Sequence, residues 1–267
     1  MINILNLIKY YTDRGYSLTH ARAKVAQDIL LTKISKSNYN DNVTIKGGVV
    51  MFNLTNNIRR ATIDIDISFI KYSLNDKAIR TFFENLITPN DGIILKVVDI
   101  KELKHLDYQG KRVLITLTDA YNYTIQIKFD IGVHTYNKIK QDNIVFNIET
   151  IGDKVFLNVN SKEQIFCEKM ISILRHGIRT TRIKDFYDLY YLIKYGDMDV
   201  LVVNEYFHIL KFYDYTKNDK LLSIYDKTAI VLSNSRILNQ LKNERNWLDI
   251  TADELKITLL EFLKSLT

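Results

Sequence analysis

The spacing of apolar residues changes twice along the chain, and these changes limit the folds that it can adopt. Residues 5–37 repeat apolar side chains at steps of three and four, as an amphipathic helix does. Shorter segments with alternating or β-branched side chains follow, at 43–46, 62–70, 93–103, 112–118, 123–131 and 144–149. Helical spacing returns near residue 161 and continues to residue 267. We therefore predict an α+β fold with N-terminal helices, a mixed β-sheet core and a helical C-terminal half.

The same change of pattern predicts a division into two domains. The first, residues 1–160, would combine the N-terminal helices with the sheet core, and the second, residues 161–267, would be helical. One proline and nine glycines leave little room for a long linker. The chain is 46% hydrophobic, as is usual for a globular protein, so wholesale disorder is excluded.

Composition also narrows the setting in which the protein works. Cys167 is the only cysteine, which excludes an intramolecular disulfide framework and a multi-cysteine metal cluster. The first residues lack a basic segment and a small-residue cleavage site, and no apolar run approaches the roughly 18 residues that span a bilayer. We expect a cytoplasmic protein with no membrane partner. The formal net charge of +6 is compatible with an anionic partner but is too small to decide this alone.

Two carboxylates stand close together in the central region. Residues 62–69 alternate so that Asp64 and Asp66 would share the polar face of one strand, with Cα atoms about 7 Å apart. Two like charges on one face repel each other unless a cation lies between them. Mg²⁺ suits this arrangement, because it is a hard ion that binds one or two carboxylates together with substrate phosphates.

A glycine pair precedes these carboxylates. A short strand runs into Lys46, Gly47 and Gly48, and a helix is predicted over residues 49–54. Glycines let the backbone approach an anion closely, and the N–H groups at a helix start point toward it. Gly-Gly alone is usually a turn, and Asp-x-Asp alone is usually a solvated strand face. In this order, however, they form the pattern of a nucleotidyltransferase, in which glycines hold a nucleoside triphosphate and carboxylates hold its metal.

A third carboxylate occurs on a later strand. The alternation of residues 123–131 places Asp130 on the polar face at the C-terminal end of that strand. At this position it could contact a metal ion or act as the base for an acceptor hydroxyl. The alternative is an exposed aspartate at a strand end.

The helical half begins with two predicted helices. Ser161 and Gln164 form the pattern of a capping box at the start of the first helix. Thr180 or Thr181 would cap the second helix. Asp185 and Asp188 would then share a face of the second helix, because they are three residues apart.

Basic residues are concentrated in the same region. The segment 169–184 contains no acidic residue and five basic ones, which are Lys169, Arg175, Arg179, Arg182 and Lys184. Such a segment could neutralise the charge that develops on a leaving pyrophosphate. Taken singly, Lys169 could equally be a surface lysine, and Asp185 an acid favoured by the dipole of its helix.

These motifs together resemble one protein family. Lys46-Gly-Gly, Arg60-x-Thr-x-Asp-Ile-Asp, Glu168-Lys169 and Arg182-x-Lys-Asp-Phe-Tyr-Asp188 follow one another as in the AbiEii/AbiGii toxin family. The ordered matches cover about residues 45–192. The resemblance implies a nucleotidyltransferase-like fold and a role in bacterial toxin–antitoxin and abortive phage-infection systems, a form of antiviral defence.

The resemblance also implies roles for individual residues. Asp64 and Asp66 would be the catalytic, metal-binding acids, and Asp188 belongs to the last motif. Asp130, which the strand pattern alone indicates, would be a further metal contact. Lys169 would contact phosphates, and Asp185 would orient the substrate or that lysine. The residues that bind the nucleotide phosphates would be Lys46, Gly47, Gly48 and Arg182.

The resulting hypothesis is a nucleotidyltransferase toxin that depends on Mg²⁺ or Mn²⁺. It would transfer a nucleoside monophosphate from a nucleoside triphosphate to an acceptor hydroxyl and release pyrophosphate. The resemblance suggests RNA as the acceptor, in particular the 3′ end of tRNA, and an antitoxin that need not bind the toxin stably. Two alternatives remain open: a non-catalytic nucleotide- or RNA-binding regulator with this fold, and a small-molecule nucleotidyl- or phosphotransferase.

Overall fold

The computed structural model describes residues 1–87, 89–103, 110–210, 224–243 and 247–266. The chain divides into two units. The first contains Met1–Asn137 and Gln141–Asn160, and the second contains Lys138–Lys140 and Ser161–Thr267. Within the described ranges, no helix is both long enough and apolar enough to cross a membrane.

Two helices form the N-terminal helical segment. α1 spans Ile4–Thr12 and α2 spans Leu18–Ser35. The chain turns between them at Gly15, whose φ of 90° is rarely adopted by residues with a side chain. The Ser17 side chain then caps α2 by accepting a hydrogen bond from the backbone N–H of His20.

A seven-stranded mixed sheet forms the core of the first unit. Its strands are β1 (Val43–Lys46), β2 (Ile65–Phe69), β3 (Ile94–Glu102), β4 (Lys111–Thr118), β5 (Thr124–Val133), β6 (Gln141–Ile148) and β7 (Asp153–Asn160). Their order is β3-β4-β5-β2-β1-β7-β6. The pairs β1–β7 and β2–β5 are parallel and the others are antiparallel. The predicted α+β class with a mixed sheet is confirmed.

Helices on the sheet complete the first unit. α2 packs against β5 and β7. Two further helices are α3 (Gly48–Thr55) and α4 (Asp76–Glu84). Helix α4 and strand β7 both lie outside the segments predicted from the sequence. α4 supplies Phe82, whose ring centroid is 5.1 Å from that of Phe69, and Phe83, which is 5.2 Å from Phe129. These aromatic contacts fix α4 on the strands that carry the acidic residues.

The second unit is helical, as the periodicity predicts. Its helices are α5 (Lys162–His176), α6 (Ile183–Tyr195), α7 (Val200–Ile209), α8 (Ile224–Ser233), α9 (Ser235–Asn243) and α10 (Ala252–Ser265). The Ser161 hydroxyl caps α5 by accepting a hydrogen bond from the N–H of Gln164 at 3.2 Å. The Gln164 amide donates to Glu168 at 2.9 Å.

The predicted cap of α6 is wrong. α6 begins at Ile183 after Arg182, whose side chain makes no capping bond. A 3₁₀ turn at Gly177–Arg179 occupies the residues before it, and the Thr180 hydroxyl accepts the N–H of Arg182 at 3.2 Å. Thr180 therefore closes the turn and does not open the helix.

Candidate functional site

The glycine pair lies between β1 and α3. Gly47 has a φ of 66° and precedes the first residue of α3. A Cβ atom on Gly47 would collide with the Asp66 carboxylate, and one on Gly48 would lie 2.8 Å from the Thr62 hydroxyl. Both glycines are therefore needed, because Asp66 and Thr62 press directly on the backbone at the start of α3. The Asp66 carboxylate lies against a helix N-terminus, where backbone N–H groups can hold an anionic ligand.

Asp64 and Asp66 are both half-buried, but only Asp66 belongs to a strand. β2 begins at Ile65, so Asp64 lies in the bend before it, and the predicted start of this strand at residue 62 is wrong. On one side, β1 ends at Lys46, which pairs with Asp66, whereas on the other side β5 continues beyond Phe129, the partner of Ile65. Ile63 is 47% exposed, whereas Ile65, on the same side of the predicted alternation, is fully buried. The shared strand face therefore explains the orientation of Asp66 but not that of Asp64.

The bend before Asp64 is held from α2. The buried side chain of Gln27 donates a hydrogen bond to the backbone carbonyl of Thr62 at 3.0 Å. Thr62 is also the residue that packs against Gly48. Gln27 thus connects the N-terminal helices to the turn and to the segment that leads into Asp64.

A row of charged residues crosses the centre of the sheet. The strand registers place Asp66 opposite Lys46 on one side and opposite Asp130 on the other. Asp130 is in turn opposite Arg112 on β4. Directly opposite residues project from the same face of a sheet, so these side chains form one surface. Asp130 therefore neighbours Asp66, as a further contact to the same ligand would require.

Arg112 is a site residue that sequence reasoning missed. Its Nε donates to Asp130 Oδ1 at 2.8 Å and its Nη2 donates to Oδ2 at 2.7 Å. The hydrogen bonds to Asp130 raise the pKa of the Arg112 guanidinium, and the charges of Asp64 and Asp66 raise it further. Both oxygens of Asp130 are therefore engaged by a permanent cation. The spacing of Arg112 and Asp130 about the hairpin turn near Tyr121 could have predicted this pair.

The acidic residues of the first unit form an incomplete set of metal ligands. In the part of the chain that the structure describes, no group of three or more His, Cys, Asp or Glu side chains is arranged to hold a metal ion. Asp64 and Asp66 supply carboxylate oxygens of the kind that Mg²⁺ prefers, beside a turn that can bind phosphate. The donor set fits an ion that is completed by substrate phosphates and water, and not one enclosed by protein.

A second charged group lies in the helical unit. The ammonium of Lys169 on α5 is 2.5 Å from Asp185 and 2.7 Å from Asp188, both on α6. The side chains of these three residues are at most 8% exposed. Arg182 donates from Nε to the other oxygen of Asp185 at 2.5 Å. Asp185 and Asp188 share a face of α6, as their three-residue spacing predicts, and this face is turned toward Lys169 on α5.

The Asp185 carboxyl stays ionised at neutral pH. Burial raises the pKa of the Asp185 carboxyl, but the charges of Lys169 and Arg182 outweigh burial and lower it from 3.8 to about 2. Two positive and two negative side chains then balance one another. Lys169 is therefore enclosed by carboxylates, whereas the half-exposed Arg182 reaches the surface.

The basic segment is divided between a buried and an exposed part. Lys169 is buried within the charged group, whereas Arg175, Arg179 and Lys184 are exposed. Arg175 is at the end of α5, and Arg179 is in the 3₁₀ turn that follows. The glycine turn with its acidic residues and the Lys169 group lie in different units of the chain.

Comparisons with known proteins identify a family. The family described as "Nucleotidyl transferase AbiEii toxin, Type IV TA system" matches residues 28–255. No curated protein sequence matches the chain. A solved structure described as an antigenic nucleotidyltransferase-like protein from Paracoccidioides brasiliensis is similar, with a TM-score of 0.39 and 18% identity over 64% of this chain and 75% of that chain. Since the family match extends over most of the sequence, this chain belongs to the AbiEii family of nucleotidyl transferase toxins of type IV toxin–antitoxin systems.

Proposed function

We propose that the protein transfers a nucleoside monophosphate from a nucleoside triphosphate to a hydroxyl group of RNA, with the 3′ end of tRNA as acceptor, and releases pyrophosphate. It would act in the cytoplasm as a toxin, with an antitoxin encoded beside it that need not form a stable complex. Family membership supports the transferase class. The acceptor, the metal and the cellular location are proposals.

One observation carries this proposal: the carboxylate of Asp66 lies directly against Gly47 at the start of α3. A turn that can hold phosphate oxygens through backbone N–H groups is thereby joined to an acid that can hold a metal ion. Neither feature alone indicates nucleotidyl transfer. Their contact supports a site at which a bound triphosphate would meet the charge of a metal.

The residues of the first unit would have distinct roles. Gly47 and Gly48 bind and orient the triphosphate, and Lys46 adds a positive charge in the same row as Asp66. Asp64 and Asp66 would hold Mg²⁺ or Mn²⁺, which when bound would polarise the α-phosphate and stabilise charge on the leaving pyrophosphate. In the transfer, a bond forms between the acceptor oxygen and the α-phosphorus while the bond to pyrophosphate breaks, and the hydroxyl proton is released.

The basic residues of the second unit would bind phosphate groups. Arg182 is held by Asp185 and half-exposed, which suits a phosphate contact. Lys169 keeps Asp185 ionised and in place, and its own contact with a phosphate would require one of the two carboxylates to move aside. The exposed Arg175 and Arg179 suit the backbone of an RNA acceptor.

The test is incubation of the full-length protein with labelled nucleoside triphosphates, Mg²⁺ and total tRNA. We expect label in the RNA, no label after replacement of Asp66 by Ala, and an undiminished signal after replacement of the exposed Asp13 by Asn. Label on a small molecule, or bound but unconverted nucleotide, would instead support a small-molecule transferase or a non-catalytic regulator. Undiminished transfer by the Asp66 variant would contradict the proposed role of that acid.

A further inference from the structure

Arg112 lies beside the acidic residues of the Asp-x-Asp motif, although it belongs to none of the predicted motifs. Arg112 is opposite Asp130, and Asp130 is opposite Asp66, on three adjacent strands. Two strand spacings place the Cα atoms of Arg112 and Asp66 about 10 Å apart. An arginine side chain can span much of this distance, so Arg112 is within reach of a ligand bound at Asp66.

The guanidinium of Arg112 is fixed in place but not enclosed. Asp130 accepts two parallel hydrogen bonds, from Nε at 2.8 Å and from Nη2 at 2.7 Å. A guanidinium has about five N–H donors, so about three remain after this pair forms. The side chain of Arg112 is 46% exposed, compared with 24% for Asp130. The carboxylate therefore orients a cation whose outer edge stays open to solvent.

We propose that Arg112 binds a phosphate group of the substrate at the nucleotidyl-transfer site, and that Asp130 is the residue that positions it. This rests on the function proposed above. The phosphate would come either from the nucleoside triphosphate or from the RNA backbone next to the acceptor hydroxyl. Guanidinium groups recognise phosphate through paired, charge-assisted hydrogen bonds, which a rigidly held arginine can form without losing further side-chain freedom.

The charges around Arg112 favour this role. Asp64 and Asp66 repel any phosphate that approaches them unless a metal ion neutralises them, and Arg112 presents N–H donors to that phosphate from β4. The pair with Asp130 is neutral overall, but it leaves the N–H donors on the outer edge of the guanidinium open. The remaining charge of a metal-bound triphosphate, or of RNA, would still be attracted to the open edge of the guanidinium.

Asp130 consequently has a different role from Asp66. Both of its oxygens already accept hydrogen bonds from Arg112. We therefore expect Asp66 to contribute to metal binding and Asp130 to contribute to phosphate binding through Arg112. This difference separates the two aspartates experimentally, even though they are neighbours in the sheet.

The experiment compares the full-length protein with its Arg112→Gln, Arg112→Lys and Lys96→Gln variants. Lys96 is a matched control, because it is exposed on β3 and pairs with Thr116, which lies about 14 Å along β4 from Arg112. Dissociation constants are measured for each of the four common nucleoside triphosphates with Mg²⁺, and for total tRNA over a range of salt concentrations. Thermal unfolding checks that each variant is folded.

We expect Arg112→Gln to weaken binding of the triphosphate, the tRNA or both by about tenfold or more. Loss with the triphosphate alone identifies the nucleotide as the phosphate source. Loss with tRNA, with a salt dependence reduced by about one counterion, identifies the RNA backbone. Arg112→Lys keeps the positive charge but loses the paired N–H donors of the guanidinium. Its affinity should therefore lie between those of the wild type and Arg112→Gln. Unchanged binding of both ligands, or an equal loss in Lys96→Gln, would overturn the proposal.

A second measurement tests the positioning role and separates this inference from the proposed function. Binding of Mn²⁺ alone is compared for the Asp130→Asn and Asp66→Ala variants. We expect Asp66→Ala to weaken Mn²⁺ binding and Asp130→Asn to preserve it while weakening the same phosphate ligand as Arg112→Gln. Loss of Mn²⁺ binding in Asp130→Asn without loss of phosphate binding would refute the positioning role. All these measurements are of binding at equilibrium. They therefore test the role of Arg112 even if the protein transfers no nucleotide.

Discussion

Lys169 and Asp185 are 16 residues apart on successive helices, and their charges meet at 2.5 Å in a nearly inaccessible position. Asp188, which is fully buried, approaches the same ammonium at 2.7 Å. One lysine therefore balances two carboxylates, with Arg182 supplying the second positive charge. The stability of the helical unit and any chemistry at this group depend on the same side chains.

Removing this lysine should destabilise the protein strongly. Replacing Lys169 with Met is expected to lower the free energy of unfolding by about 3 kcal/mol, because it leaves buried carboxylates without their main cation. Urea unfolding measures the change. The matched control is Lys194→Met, which removes an exposed lysine of α6 and should stay within about 0.5 kcal/mol of the wild type. A Lys169→Met protein as stable as this control would mean that the pair contributes little.

Stability should fall in acid because of Asp185. Its pKa is lowered from 3.8 to about 2 in the folded protein, so the unfolded chain binds more protons between these values. The Asp185 carboxylate therefore contributes about 2 kcal/mol to the free energy of unfolding above pH 4. This contribution is lost as the pH falls toward 2. Unfolding by urea at a series of pH values measures it. The Asp185→Asn variant should lack this part of the pH dependence, and an identical profile would argue against the assignment.

The glycine turn should tolerate no side chain. Gly47→Ala is expected to lower the free energy of unfolding by about 2 kcal/mol or more, through backbone strain and collision with Asp66. Displacement of Asp66 should also reduce transfer by about 100-fold. Gly152→Ala is a matched control, since Gly152 has a φ of 70° but nothing within 4 Å of an added Cβ. Gly152→Ala should lower the free energy of unfolding by about 1 kcal/mol and leave nucleotidyl transfer unchanged. Equal activity of the two variants would contradict the role of the turn.

The exposed arginines should determine the affinity for RNA. Replacing both Arg175 and Arg179 with Gln should weaken tRNA binding and reduce the slope of log affinity against log salt by about 1.5. Replacing Lys194 and Lys242 with Gln removes the same charge from exposed positions elsewhere on the helical unit. Binding titrations at several salt concentrations compare the two double variants. If both double variants lose the same affinity for tRNA, binding depends on the net charge of the protein and not on a local RNA-binding surface.

Local patterns predicted the elements whose ends are set by local chemistry. β1 was predicted at its observed bounds because the glycine turn ends it, and the start of α5 was predicted because Ser161 caps it. β7 was missed although Val155, Leu157 and Val159 alternate inward, and α4 was missed although Asn75 caps it. Both had recognisable signals. The start of β2 had none, because the alternation of side chains continues back to Thr62 although the strand begins at Ile65.

The candidate site could also be predicted in part, because some of its residues lie in local sequence motifs. Gly47 and Asp66 were identified as residues of one motif, but their direct contact depends on the pairing of β1 with β2. Arg112 is outside every motif, and its relation to Asp66 passes through two strand pairings that one residue pattern does not specify. The identity of acids and glycines is thus encoded locally, whereas their partners are determined by the topology of the sheet.

The alignment of β2 has a consequence for how the family would be compared across species. Ile65, Ile67 and Phe69 are fully buried and alternate with Asp66 along the strand. A slip of β2 by one residue would expose all three, at about 1.5–3 kcal/mol each, and would turn Asp66 into the core. Stability alone therefore keeps Asp66 between Lys46 and Asp130. A descendant that had lost its activity would still preserve this backbone alignment, so only the charged side chains themselves can report whether the activity persists.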